Sequence, residues 1–147
     1  MGAGRRAGQC MHQVHIEETG IVVAAQVAEA HRLWSRTRGL MFRRQLEPGT
    51  GIDIRPCSSI HMMFMRFPID AVFYDRSYRV TRVARSVRPW LGIAFGGRGA
   101  WGVIELGVGA ANPVKAGDVL VFAPVFEGSA PAAAVTAAGR ADHGGTG

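Results

Sequence analysis

Short apolar runs separated by turn residues dominate the hydrophobic pattern of this chain. Residues 21–27 are rich in β-branched side chains, and Ile52 and Ile54 flank a polar position, which is typical of strands. The same reasoning predicts further strands at residues 58–65, 71–74, 78–85, 101–106 and 119–122. Glycine, proline and aspartate turns separate these segments. The pattern therefore predicts about seven short strands.

One segment departs from this pattern. Ala30, Leu33 and Trp34 recur at helical spacing, and Gly39 is suited to end a helix in the left-handed conformation. We therefore expect one short helix near residues 29–38. Strands joined by tight turns, with no repeated helix between them, predict a mainly β fold. We expect a single antiparallel domain that is sandwich-like or a small barrel.

Both ends of the chain differ in composition from its centre. Residues 1–18 show no hydrophobic period, so we expect a flexible leader, and Met11 is a second candidate for the true start. Residues 127–147 are mostly Ala, Gly, Ser and Thr, which cannot bury enough apolar surface to offset chain entropy. We expect a disordered tail there and a single domain at residues 19–126.

Charge and cysteine content narrow the compartment and the partners. The net charge is +6, with 17 Lys and Arg against 11 Asp and Glu, which favours anionic partners. Cys10 and Cys57 provide no disulfide framework. No apolar run of signal-peptide length follows Arg5 and Arg6, and no run is long enough to span a bilayer. We therefore expect a cytoplasmic protein without a membrane span.

Several motifs with known chemistry are absent. The sequence has no phosphate-binding GxxxxGK[ST] loop, no GxSxG elbow, no CxxC pair and no HExxH helix. The glycines of residues 92–99 do not lie on a strand-to-helix turn, so we do not expect dinucleotide binding. We expect no cofactor. Arginines recur every three residues from Arg76 to Arg88, whereas strand side chains alternate every two. They should not form one stripe, so nucleic-acid binding is not expected.

Four charged residues are candidates for a binding site. Arg38 and Arg43 flank a Gly-Leu-Met-Phe segment and could bind an anion between them. Alternatively, they could be cations that interact favourably with the helix dipole at the end of the predicted helix. Asp70 follows Pro68 and could bind a ligand, act as a general base, or accept backbone N–H groups in a turn. Glu105 lies between apolar residues and needs a partner if buried, for which Arg38 or Arg43 are candidates.

A second candidate set contains soft metal ligands. Cys57, His61, Met63 and Met65 offer thiol, imidazole and thioether groups, which suit copper(I). In a continuous strand, the side chains of His61, Met63 and Met65 would point to one side. The alternative is that the methionines fill a core and His61 packs at its edge.

Three short motifs in order resemble a known family. They are Gly39-Leu40-Met41-x-Arg43, then Phe67-Pro68-Ile69-Asp70, and finally Ile104-Glu105-Leu106 followed by Gly117-Asp118. They resemble domain-of-unknown-function family 192, a small bacterial and archaeal family without an assigned activity. The chain departs from the family pattern where His61 replaces a tryptophan and Met63-Phe64 replaces Lys-Asn. The resemblance implies a mainly β, sandwich-like fold and no particular activity.

These features together favour a non-enzymatic binding module for a small anionic ligand or an acidic partner. The predicted ligand-binding residues are Arg38, Arg43, His61, Asp70 and Glu105. One alternative is a hydrolase-like enzyme with Asp70 or Glu105 as base and His61 as acid, which requires these groups to share a cleft. The other alternative is copper binding through Cys57, His61, Met63 and Met65.

Overall fold

The computed structural model describes residues 11–30, 45–63 and 65–125. These residues form nine β-strands. They contain no helix, and in particular none long and apolar enough to cross a membrane. The strands are β1 (Met11–Ile16), β2 (Val22–Ala30), β3 (Thr50–Ile54), β4 (Ser59–His61), β5 (Ile69–Tyr74), β6 (Val80–Val87), β7 (Ile93–Phe95), β8 (Gly102–Leu106) and β9 (Leu120–Pro124).

Seven of the strands form one sheet in the order β6-β5-β8-β3-β2-β1-β9, and β4 pairs with β7 in a separate two-stranded sheet. The pairing is antiparallel except between β2 and β3. The large sheet is curled, so that the segments before its edge strands β6 and β9 meet. Arg79 pairs there with Val119, and the Leu120 N–H donates to the Tyr78 carbonyl over 2.9 Å. The predicted mainly β fold is thus confirmed as a curled half-barrel.

Each face of the large sheet covers its own hydrophobic core. The inner core lies in the concavity and includes Val14, Val27, Val72, Ile104 and Leu106. The outer core lies under the β4–β7 sheet and includes Ile60, Met62, Ile69, Phe73 and Val103. Strands β5 and β8 are buried along their whole length. This double burial explains their nearly continuous apolar sequence, since neither face meets water.

The predicted leader is wrong for residues 11–16. These residues form β1, which pairs with β2 on one side and with β9 on the other. Val14 and Ile16 point into the inner core, whereas the other residues of β1 are partly exposed. This alternation covers only two apolar positions among histidine and glutamine, which is too short a pattern to be read from the sequence. Residues 1–10 and the predicted tail at 127–147 lie outside the described residues.

The predicted helix also differs from the structure. Residues 28–30 continue β2, because Ala28 and Ala30 pair in parallel with Ile52 and Ile54 of β3. Tertiary pairing therefore overrides the helical spacing of these residues. Residues 31–38 lie outside the described residues. The predicted strand at 58–65 is limited to β4, since a turn follows in which the Met65 N–H donates to the Met62 carbonyl over 3.0 Å.

The position of β1 leads to a stability prediction. Val14 is fully buried between two neighbouring strands, so Val14→Ala should lower the free energy of unfolding by about 2 kcal/mol. The neighbouring His15→Ala, at a partly exposed position, is the control and should change it by less than about 0.5 kcal/mol. Urea denaturation measures both variants. Equal, negligible effects would mean that β1 is not part of the folded unit.

Candidate functional site

Asp70 is a backbone acceptor at the start of β5. One of its carboxylate oxygens accepts the Ser86 N–H over 2.9 Å. The other accepts the N–H groups of Gly109 and Ala111 over 2.9 and 3.2 Å. The side chain is 1% exposed. Because both oxygens are occupied, the geometry matches the structural alternative, in which Asp70 ties β5 to β6 and to the turn after β8.

The two candidate carboxylates lie on opposite faces of the sheet. Asp70 stands opposite Leu106 of β8, whereas Glu105 stands opposite Ala71 and Ile52. Since neighbouring residues of a strand alternate faces, Asp70 points to the inner core and Glu105 to the outer core. His61 is on the exposed side of β4. The shared cleft that a hydrolase-like enzyme would require is not formed by these three side chains.

The four soft metal ligands have different environments. Met65 is buried in the outer core, whereas His61 and Met63 are exposed. The Cys57 thiol donates to the Ser59 carbonyl over 3.1 Å. Strand β4 ends at His61, so the alternation expected for a longer strand does not apply to Met63 and Met65. Within the described residues, no group of three or more His, Cys, Asp and Glu could hold a metal ion. Copper binding stays a prediction.

The predicted anion clamp cannot be placed. Arg38 and Arg43 both lie outside the described residues. Their pairing with Glu105 and their contact with a ligand therefore stay predictions of the sequence.

A buried polar network that the sequence analysis missed lies where β2, β3 and β5 end. The Tyr74 hydroxyl donates to Asp53 Oδ1. Asp53 Oδ2 lies 2.8 Å from Arg55 Nε, as an ion pair without an aligned hydrogen bond. The Arg55 guanidinium also donates to Glu29 over 2.7 Å. We call Glu29, Asp53, Arg55 and Tyr74 the inner network.

Strand register and one glycine assemble this network. Glu29 of β2 stands beside Asp53 of β3 in the parallel pair. Tyr74 of β5 stands opposite Gly102 of β8, which separates β5 from β3 in the sheet. A Cβ at Gly102 would collide with the Tyr74 ring and hydroxyl. The missing side chain therefore allows the tyrosine to reach across β8 to Asp53.

Aromatic rings close the network toward solvent. The Arg55 guanidinium carbon lies 5.7 Å from the ring centroids of both Trp101 and Phe122, within cation–π range. Tyr78 stacks on Tyr74 with ring centroids 5.8 Å apart. His12 Nδ1 lies 3.5 Å from the Glu29 carboxylate. This enclosure buries Asp53 and leaves Arg55 and Glu29 only 17% exposed, which is tolerated because these charges are paired.

Burial shifts the proton affinities of the network. Loss of solvation raises the pKa of Asp53, although the Tyr74 hydrogen bond and the charge of Arg55 oppose that rise. Burial also raises the pKa of Tyr74, and the neighbouring Asp53 carboxylate raises it further. Burial alone would lower the pKa of Arg55, but the charges of Asp53 and its neighbours outweigh this and raise it. Arg55 therefore remains a cation and Tyr74 a neutral donor at physiological pH.

The sequence carried a weak signal for this network. Asp53 is a single carboxylate between Ile52 and Ile54, and this pattern indicates a side chain that could be buried with a cationic partner. Arg55 is two residues away on the same face of the strand. Glu29 was hidden because it fell within the predicted helix.

A groove lies at the opposite end of the sheet. It has a volume of about 620 Å³ and is lined by residues that include Val22, Leu46, Glu47, Thr50, Phe67 and Val108. Most of these side chains are apolar, and the charged one is acidic. Of the predicted site residues that the structure describes, His61, Asp70 and Glu105, none lines this groove. The charged side chain among its described lining residues, Glu47, disfavours an anion.

The outer surface of the β4–β7 sheet has a different character. Ile60 and Ala94 point into the outer core, whereas their neighbours on the two strands face outward. Four large apolar side chains of residues 90–95 are more than half exposed: Trp90 at 54%, Leu91 at 87%, Ile93 at 63% and Phe95 at 59%. We call these four the 90–95 ridge. Arg82 borders the ridge by donating to the Phe95 carbonyl over 3.4 Å.

The comparisons with known proteins identify the family. The model of the DUF192 family, described as "Uncharacterized ACR", matches residues 14–122. The chain therefore belongs to this family, as its sequence motifs predicted. No curated protein matches it.

Two solved structures are similar to this one. The first is a Sinorhizobium meliloti 1021 protein described as a "putative transcription regulator", with a TM-score of 0.67 and 23% identity over 80% of this chain and 98% of that chain. The second is a protein of unknown function from Novosphingobium aromaticivorans DSM 12444, with a TM-score of 0.65 and 20% identity over 82% of this chain and 99% of that chain. At these identities the likeness shows the fold alone.

The environment of Asp70 leads to a second prediction. Asp70→Ala leaves three backbone N–H groups, one buried and two partly buried, without their acceptor, and should lower the free energy of unfolding by about 3 kcal/mol. Asp70→Asn retains one carbonyl oxygen and should lower it less. Denaturant unfolding measures both variants, and Asp75→Ala, in the hairpin before β6, is the comparison. A stable Asp70→Ala variant would contradict the structural role.

The raised pKa of Asp53 predicts a pH dependence. Between 3.8 and the higher native pKa, the folded state binds more protons than the unfolded state. The contribution of Asp53 to stability is therefore complete at pH below 3.8 and declines as the pH rises through the native pKa. Urea unfolding of wild type and Asp53→Asn across this window should show their difference shifting in favour of the variant as pH rises. A difference that shifts the other way would mean a lowered pKa.

Proposed function

We propose that this member of the DUF192 family is a non-enzymatic binding module whose partner is an acidic polypeptide. The observation that carries the proposal is the charge of residues 76–104, which contain six arginines and no aspartate or glutamate. This segment forms β6, β7 and the start of β8. The segment therefore carries an excess of positive charge, which attracts anionic partners.

The carboxylates of the interior do not reduce this surface charge by pairing with these arginines. Asp53 and Asp70 are each 1% exposed and are bound by an arginine, a tyrosine or backbone N–H groups within the fold. Arg88 and Arg98 are exposed, and their guanidinium groups make no hydrogen bond or ion pair within the described part of the chain. Their guanidinium groups are available to carboxylates, which they can bind bidentately.

A polypeptide fits this arrangement better than a small anion does. The exposed arginines are spread over β6 and the segments that flank β7, whereas a small anion needs several donors converging on one point. Among its described lining residues, the 620 Å³ groove has one charged side chain, the acidic Glu47, which disfavours an anion there. The small-anion alternative, with Arg38 and Arg43 as the clamp, is kept as an outcome of the experiment.

The arginines of β6 also favour protein over nucleic acid. Arg85 donates to the carbonyls of Ala111 and Val114, on the inner-core side of the strand. Arg82 is bound to the Phe95 carbonyl on the outer-core side. A row of phosphates needs cations along one face, and these two side chains diverge. The description of one structural neighbour as a transcription regulator is therefore not carried over to this chain.

The proposal predicts binding to poly-L-glutamate that weakens with salt. Arg88→Gln should reduce the affinity about two- to fivefold at low ionic strength, as expected for the loss of one exposed charge contact. Lys115→Gln removes one exposed charge on the turn before β9 and is the matched control, with little expected effect. Fluorescence anisotropy with a labelled polymer measures both.

Three outcomes would contradict the proposal. Equal losses in the Arg88 and Lys115 variants would mean general charge attraction without a defined surface. Citrate or phosphate that raises the melting temperature of wild type, but not of Arg38→Gln or Arg43→Gln, would assign the protein to small anions. Tighter binding of an oligonucleotide with the same number of charges would assign it to nucleic acid.

A further inference from the structure

The 90–95 ridge stands out among the exposed apolar residues of the domain. Eight large apolar side chains are exposed in the described part of the chain, and four of them lie within these six residues. Single exposed apolar residues are ordinary, but a contiguous group on one surface indicates an interaction site.

The backbone holds the tip of the ridge in one conformation. The Trp90 N–H donates to the Met62 carbonyl over 2.8 Å, and the Met62 N–H donates to the Gly92 carbonyl over 2.8 Å. The Gly92 N–H donates in turn to the Arg88 carbonyl over 3.0 Å. Leu91 is therefore carried on a turn that is bonded on both sides. A partner would not have to order this turn, which lowers the entropic cost of binding.

The turn also contains local strain. Trp90 has a φ of +66°, a conformation that is rare for a bulky side chain. A Cβ at Gly92 would overlap the Arg88 carbonyl oxygen and lie 2.7 Å from the Val87 side chain, so only glycine fits there. Strain of this kind persists where the surrounding structure enforces it, and it is concentrated at functional sites. Here its effect is to place Leu91 in solvent.

The strand that follows extends the ridge with a regular spacing. Ile93 and Phe95 point outward from β7, opposite His61 and Ser59 of β4, while Ala94 between them is buried. Outward side chains two residues apart on a strand are separated by about 6.6 Å. Alternate side chains of an extended polypeptide have the same spacing, so such a segment can place its apolar groups between Leu91, Ile93 and Phe95.

Charge indicates what else that segment carries. Arg82 lies against Phe95, Arg88 immediately precedes the turn, and Arg98 follows β7. No acidic residue lies in 76–104, so the border of the ridge is positive. An apolar centre with a charged rim is the usual composition of a protein interface.

We infer that the 90–95 ridge binds an extended acidic segment of a partner protein, whose large apolar side chains pack on Leu91, Ile93 and Phe95 while its carboxylates contact the bordering arginines. This inference rests on the proposed function, to which it adds the apolar anchors and the docking surface.

The experiment compares two polymers of similar length, poly-L-glutamate and the random 4:1 copolymer of glutamate and tyrosine. Wild type should bind the copolymer more tightly, by about tenfold, because tyrosine rings bury apolar area on the ridge. The double variant Leu91→Ser, Ile93→Thr should lose this advantage and retain its affinity for poly-L-glutamate. Threonine keeps the strand preference of position 93.

The controls separate this inference from the proposed function. Val108→Thr changes an exposed apolar side chain that lines the groove, outside the 90–95 ridge, and should keep the preference for the copolymer. Urea midpoints establish whether the variants fold. If the double variant does not fold, the single variant Leu91→Ser replaces it, because Leu91 is the most exposed residue of the ridge. Its loss of the preference should then be partial.

The possible results have distinct meanings. Equal affinity of wild type for the two polymers would contradict the role of the ridge as a docking surface, while the proposal of an acidic partner would be retained. Binding to neither polymer would overturn both proposals. An unchanged preference in the folded Leu91 variant would also exclude the ridge. A single-stranded thymidine oligonucleotide that displaces the copolymer at lower concentration would assign the ridge to base stacking instead.

Discussion

Double burial of β5 and β8 is the constraint on which the other features of the domain depend. Every residue of these two strands is buried, because the curled sheet covers one face and the β4–β7 sheet covers part of the other. Any polar group on them must therefore be satisfied from within the protein. Asp70, Tyr74 and Glu105 occupy such positions. Their sequence neighbours are apolar, so each polar residue is a local exception with a structural consequence.

These interior polar groups hold the curl of the sheet. Asp70 binds backbone N–H groups from β6 and from the turn after β8, and Tyr74 reaches over Gly102 to Asp53 on β3. Arg55 then joins Asp53 to Glu29 of β2. Side chains thus connect β6, β5, β3 and β2, in addition to the backbone ladders of the sheet. Buried ion pairs of this kind add little net stability, but loss of one partner is costly because it leaves the other charge uncompensated.

The burial of acidic residues also affects the charge of the surface. Asp53 and Asp70 are used inside the fold, and residues 76–104 carry six arginines and no acidic residue. The β4–β7 sheet has only one face to bury, so its second face remains available for a partner. The outward residues Ile93 and Phe95 are apolar although solvent would favour polar ones. This mismatch between position and residue type points to binding, whereas the buried carboxylates point to architecture.

The sequence by itself determined the strand-rich fold and the family. Alternating or continuous apolar runs such as 71–74 and 101–106 are local signals, and local backbone preference is enough to read them. The motifs around Asp70 and Glu105 indicated the family because they, too, are local features of the sequence. Local patterns also marked Asp70 as unusual and offered the turn acceptor as one interpretation, without showing which N–H groups it would bind.

Only the tertiary structure decided which residues meet. Strand β1 has two inward residues and gains its stability from β2 and β9, so its own sequence could not reveal it. Asp70 and Glu105 look alike in the sequence, yet the register of β5 against β8 sends them to opposite faces. The inner network joins residues from β2, β3 and β5, and the exposure of Leu91 follows from contacts with Met62. Pairing between distant segments sets each of these features, because the free energy that fixes them is gained only when the strands assemble.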